Sequence, residues 1–91
     1  MIARRIFIAG HVQGVFFREW TVDGAHELGL GGWVRNWRDG RVEVFVQGEA
    51  AAVETLIERL HRGSPASKVT EVAVEPAEVA DVTGFTRRQT T

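Results

Sequence analysis

A chain of 91 residues fits a single domain, since a second would need roughly another hundred. Folding at this size hides roughly 64% of the chain's surface, enough for a core without staples. The absence of cysteine excludes disulfides, thiolate chemistry and cysteine-held zinc or iron–sulfur centres, and eleven basic against twelve acidic side chains leave a net charge of -1, too balanced for a surface that courts nucleic acid or anionic lipid throughout.

The opening MIARRIFIAG carries two arginines but only a short alternating apolar run, unlike a signal peptide or a membrane span, so a cytoplasmic protein without membrane attachment is expected. Within it, Ile6 and Ile8 fall on one face and Phe7 and Ala9 on the other, the pattern of a central strand. Gly10-His11-Val12-Gln13-Gly14 then reads as a loop, and Phe17, Trp20, Ala25 and Leu28 recur at helical spacing before Gly29. Thr21, Val22 and Gly24 make that helix intrinsically weak.

Gly31 to Asn36 and Arg41 to Val46 predict an antiparallel hairpin, with Asp39-Gly40 supplying the tight turn that fixes its register. From Glu49 to His61, Val53, Leu56, Ile57 and Leu60 stand at i, i+3, i+4 and i+7, the best amphipathic helix in the chain. Gly63-Ser64-Pro65 ends it. Lys68 to Glu75 predicts a valine-rich fourth strand, Pro76 to Gly84 a polar connection, and Phe85 a short last strand. The order β-α-β-β-α-β names an α+β, ferredoxin-like split βαβ sandwich: an antiparallel sheet with two helices on one face and a brief extra C-terminal strand. This architecture hosts metabolite sensors, RNA binders, metal carriers and enzymes, so chemistry must be sought in particular residues.

A loop leaving a strand and opening a helix aims backbone N–H groups into one concavity, to which the helix adds partial positive charge. Gly10 and Gly14 allow close approach of an anion, although two glycines in such a loop are more often plain turn chemistry. Arg18 would lie in the first helical turn, the wrong end of the macrodipole for a cation by about 0.3–1 kcal/mol. Position alone leaves it either a bidentate phosphate ligand or a solvated arginine bending away. Asn36 closes a strand that asparagine does not favour; its amide suits holding a water, and it also suits simply opening a turn.

Gly10-His11-Val12-Gln13-Gly14-Val15-Phe16-Phe17-Arg18 resembles the G-x-V-Q-G-V-x-[FY]-R signature of the acylphosphatases, and Gly32-Trp33-Val34-Arg35-Asn36 with Asp39-Gly40-Arg41-Val42-Glu43 resembles their second signature. The resemblance extends over essentially the whole chain, through Ala25, Leu28-Gly29-Leu30, Leu56, Leu60, Gly63-Ser64-Pro65 and Gly84-Phe85. It implies hydrolysis of a carboxylic–phosphoric mixed anhydride to carboxylate and inorganic phosphate, without metal or other cofactor. It further implies that Arg18 and the loop formed by His11, Val12, Gln13, Gly14, Val15, Phe16 and Phe17 hold the phosphoryl group and that Asn36 orients the attacking water; a monomer is expected. Trp20, and Trp37-Arg38 after the asparagine, depart from the commoner pattern, and the polar tail Thr86 to Thr91 leaves the length of the last strand open.

Other residues read more plainly. His11, His26 and His61 are too scattered for a local metal motif, though His11 is placed to lean over the loop. Glu19 fits the dipole of a first helical turn, with pairing to Arg18 or service as a base as alternatives. Trp33, Arg35, Trp37, Arg38 and Arg41 form an aromatic-basic cluster, but alternate strand residues face opposite ways and no RNP1-type run is present, so packing and hairpin solvation are expected and no nucleic-acid partner. The alternative to the enzyme is a non-catalytic ferredoxin-like module that binds an anion or metabolite. A related domain opens the larger carbamoyltransferases of hydrogenase maturation; without a zinc or transferase region here, a stand-alone enzyme is expected.

Overall fold

The structure, a computed structural model, describes every residue from Met1 to Thr91. Its elements are β1 (Ile2–His11), α1 (Phe17–Glu27), β2 (Gly31–Asn36), β3 (Val42–Gly48), α2 (Ala50–Arg62), β4 (Lys68–Ala77) and β5 (Phe85–Arg87). The strands form one sheet in the order β4-β1-β3-β2-β5. β1 lies inside it because both of its faces are apolar. Ile6 and Ile8 are fully buried in the main core, while Phe7 on the other face meets the Trp37 ring edge-on at 5.8 Å.

Alternation places Val42, Val44 and Val46 of β3 in the main core beside Val53, Leu56 and Leu60 of α2, all of them buried. Ile57, the remaining member of the α2 stripe, packs against this core from its margin. α1 joins it through Phe17 and Ala25, then stops where the Leu30 N–H reaches the Ala25 carbonyl at 2.9 Å and the Gly29 N–H that of His26 at 3.1 Å. This paired closure satisfies two carbonyls that a helix end otherwise leaves without partners.

Three details refine what the sequence implies. The sheet is mixed, because β5 runs parallel to β2 while the other neighbours are antiparallel. The register gives the reason: β4 ends at the edge of the molecule where β2 begins, so a connection that stays at that end delivers β5 beside β2 in the same direction. Gln47 holds this connection by donating to the Ala80 carbonyl at 3.0 Å and accepting the Ala80 N–H at 2.7 Å.

β4 continues beyond Glu75, with Pro76 opposite Arg4 and Ala77 opposite Ala3. Proline is tolerated there because β4 is an edge strand. The hairpin closes at Asp39-Gly40 through a loop longer than those two residues. The Trp37 N–H donates to the Arg41 carbonyl at 2.8 Å and the Gly40 N–H to the Trp37 carbonyl at 3.1 Å, with Gly40 at φ 99°. A three-residue loop results, in which glycine takes the left-handed position that side chains disfavour.

Candidate active site

Antiparallel pairing sets the end of β1 beside the start of β3, and thus beside the end of β2. The glycine loop after β1 and the hairpin carrying Asn36 therefore meet at one end of the sheet. Between Gln13 and Glu19 no backbone N–H donates to an acceptor within the chain. The first intrahelical bond of α1 is that of the Trp20 N–H to the Phe16 carbonyl at 3.0 Å, and no side chain caps the helix. These donors form a single run from loop into helix, with the positive end of the helix dipole behind them.

Phe16 shapes that run. It sits just before the helix at φ 59° and ψ 26°, the only non-glycine residue with positive φ, and Gly14 is also left-handed at φ 74°. For a bulky side chain this costs about 1–3 kcal/mol, and strain of this kind concentrates at functional sites. Burial does not offset it, because Phe16 is 81% exposed.

Val12, Gln13, Gly14, Phe16, Phe17, Arg18, Glu19, Asn36 and Arg87 line a cavity of about 350 Å³ over the loop. Asn36 enters it from the end of β2. Its Oδ1 is buried and accepts no hydrogen bond. A buried amide oxygen without a donor is costly, by about 1–3 kcal/mol, unless something bound in the site supplies one. Arg18, half-buried in the first turn of α1, donates through Nη1 to the Arg88 carbonyl at 3.1 Å. That contact partly offsets the unfavourable position of a cation at the helix start.

Other residues named from the sequence are placed differently. His11 is exposed at the end of β1 opposite Lys68 and does not line the cavity. Val15 turns toward the main core instead. Glu19 pairs with Arg87 at 3.0 Å and not with Arg18. No three His, Asp or Glu side chains converge into a metal-binding group anywhere in the chain. The aromatic-basic residues of the hairpin are less dispersed than alternation suggested. Trp33 and Phe45 form a small second core with Ala3 on the sheet face opposite the main core. Arg35 lies over Trp33 at 4.8 Å, and Arg41 covers Phe7 at 4.7 Å and Trp37 at 5.1 Å.

Two contributions to the site have no local signal in the sequence. Gln13 Nε2 donates to the carbonyls of Trp37, at 2.7 Å, and Arg41, at 2.8 Å, tying the loop to the hairpin. The tail beyond β5 stays beside β2: Arg88 N–H donates to Val34 O at 2.8 Å, Thr91 N–H to Asn36 O at 3.0 Å, and Arg38 N–H to Thr91 O at 2.9 Å. A larger hollow of about 420 Å³ lies at the opposite end of the sheet, lined by Met1, Leu30 and several glycines. It lacks the convergent donors of the first cavity.

The family model that matches is Acylphosphatase, and it covers residues 4–87. The chain belongs to the acylphosphatase family. It is 54% identical over 89 residues to an acylphosphatase of Rhizorhabdus wittichii, covering 98% of this chain and 90% of the relative. Identity to one of Acidiphilium cryptum is 46% over 90 residues, covering 99% of each. Among solved structures, the acylphosphatase from Bacillus subtilis superposes with a TM-score of 0.93 at 37% identity, over 97% of this chain and 99% of that one. Full-length HypF in its phosphate- and nucleotide-bound form superposes at 0.90 and 32% identity over 98% of this chain, which matches only 12% of that protein. The split βαβ sandwich, with its fifth strand, is thus the family's fold, and this family member is an enzyme of acylphosphatase type. No helix is long and apolar enough to cross a membrane.

Proposed function

We propose that the chain hydrolyses acyl phosphates at this cavity, with the free N–H groups from Gln13 to Glu19 and the Arg18 guanidinium holding the phosphoryl oxygens and Asn36 orienting the water. The observation that carries the reading is the buried, unpartnered Oδ1 of Asn36, a residue that lines the same cavity as the loop and Arg18. A water donating one O–H to that oxygen keeps its lone pairs for phosphorus. As the water oxygen bonds to phosphorus, the bridging P–O bond breaks and its electrons leave with the carboxylate. The water's protons end on phosphate and solvent, giving R–COO⁻ and inorganic phosphate.

Phosphoryl transfer of this kind is loose, so fixed donors around the equatorial oxygens and a positioned nucleophile supply most of the catalysis. A carboxylate is a good leaving group and needs no general acid. In keeping with this, the carboxyl that lines the cavity, Glu19, is engaged by Arg87. The same reasoning predicts that phosphate monoesters, which leave as alkoxides, react far more slowly.

A continuous assay with an aromatic acyl phosphate, with and without excess chelator, tests the reading. Turnover is expected in both, with little on a monoester. Loss on chelation that a divalent ion restores would overturn the metal-free mechanism. Phosphate binding with no turnover of any acyl phosphate would favour the anion-binding module instead.

A further inference from the structure

On the sheet face opposite the main core, the Glu43 side chain is only 3% exposed. It has three cationic or N–H partners there. Oε1 accepts from Arg35 Nε at 2.8 Å and from Trp37 Nε1 at 2.9 Å, and Oε2 pairs with Arg5 Nε at 3.2 Å. Arg35 and Trp37 are the residues on either side of Asn36. Since strand side chains alternate, a carboxylate that grips both neighbours on one face fixes the rotation of the strand, and so the direction in which Asn36 leaves on the other. Glu43 is also the cross-strand partner of Arg35, which keeps this grip in register.

We infer that Glu43 is a positioning residue for Asn36, acting through Arg35 and Trp37 from the far side of the sheet. The inference rests on the proposed role of Asn36. Trp37 is where it joins the rest of the site, because its indole N–H is held by Glu43 and its carbonyl by Gln13 of the anion loop. Asn36 is thereby set against the loop through covalent neighbours, although its own Oδ1 bonds to nothing in the chain. A carboxylate also suits this place better than an amide. It accepts from Arg35 and Trp37 while its second oxygen faces the Arg5 charge, whereas a glutamine would turn an NH₂ group toward at least one of these partners.

The test is a cycle of Glu43→Gln, Asn36→Ala and the double variant, read by single-turnover kinetics and by phosphate titration. Glu43→Gln is expected to lower kcat about tenfold with phosphate affinity unchanged, as suits a misplaced nucleophile rather than a lost anion ligand. In the Asn36→Ala background it should lower the residual rate no further, because there is no longer an amide to aim. The Asn36 side-chain amide resonances should shift in Glu43→Gln.

Equal losses in both backgrounds, or a parallel loss of phosphate affinity, would reduce Glu43 to a structural residue and overturn the inference. Full turnover by Asn36→Ala would instead overturn the role proposed for Asn36. Should Glu43→Gln fail to fold, Trp37→Phe removes one donor while keeping the ring. It is expected to give a kcat loss of about threefold that likewise vanishes without Asn36, and an undiminished loss in that background would overturn the inference.

Discussion

Gln13 and Trp37, 24 residues apart in the chain, are joined by a 2.7 Å hydrogen bond from side-chain amide to carbonyl. The same Gln13 nitrogen also reaches Arg41, so the glycine loop is fastened to both ends of the turn that follows Asn36. Replacing Gln13 with Ala should therefore disturb both halves of the site. Its expected cost is about 1–3 kcal/mol of stability from the lost bonds, with a fall in both phosphate affinity and kcat. Denaturant melts and phosphate titration check this; a stability loss with an intact site would show that loop and hairpin hold their places separately.

Asn36→Ala is expected to remove most turnover while phosphate still binds, because the amide is assigned to the water and not to the anion. Calorimetric or NMR titration of phosphate into the variant separates the two. A proportionate loss of affinity would move Asn36 into the anion cradle.

Arg18→Gln should abolish activity, since it removes the charged contact proposed for the phosphoryl group, where charge is redistributed. Its effect on the free protein is small by comparison. The lost contact to the Arg88 carbonyl, about 0.5–1.5 kcal/mol, is opposed by relief of a cation at the helix start. Phosphate should stabilise the parent protein as RT ln(1 + [L]/Kd) and do much less for the variant. Melts of both proteins with and without phosphate give these quantities together.

Gly24 lies in α1 facing α2, and a methyl group there would meet Leu56 Cδ1 at 3.6 Å and Arg59 Nη1 at 3.7 Å, ordinary contact distances. Gly24→Ala is expected to stabilise the protein by about 0.5–1 kcal/mol through helix propensity, without changing activity. Thermal melts and the acyl phosphate assay check the two halves of that statement.

Asp39 accepts the Arg41 N–H at 3.0 Å and its guanidinium at 2.9 Å. The backbone bond, aided by the guanidinium, holds its carboxyl below the ordinary value of 3.8 against a smaller opposing effect of burial. A depressed folded value means that the stabilisation is fully present above the unfolded value and is lost as pH falls through the lower folded one. NMR titration of Asp39 should show a midpoint below 3.8, and Asp39→Asn should remove this acid-side loss of hairpin stability. A midpoint at or above that value would mean the bonds to Arg41 do not persist in solution.

Much of the fold was legible because it rests on local periodicity. The valines of β3 and the Val53, Leu56 and Leu60 stripe of α2 declare which side is buried, and their burial follows. The direction of β5 was not legible, since three residues around Phe85 carry no sign of which neighbour they join. Asn36 and Arg18 stood out as residue types ill suited to their local positions. Gln13 and Glu43 did not, because what distinguishes them is a partner far along the chain or across a strand. A glutamate among valines reads as a solvent-facing residue until Arg5, Arg35 and Trp37 close around it.

The strand order has a consequence for self-association. A sheet grows by adding a strand at a margin, and both margins here are poor templates. β4 carries Pro76, which has no N–H to offer a newcomer, together with exposed Lys68, Glu71 and Glu75. At the opposite margin β5 is only three residues long. Charge, proline and brevity are the usual means by which natural sheets refuse a further strand. This chain combines all three, so neither margin offers a long, unbroken template for a further strand even though the sheet itself never closes.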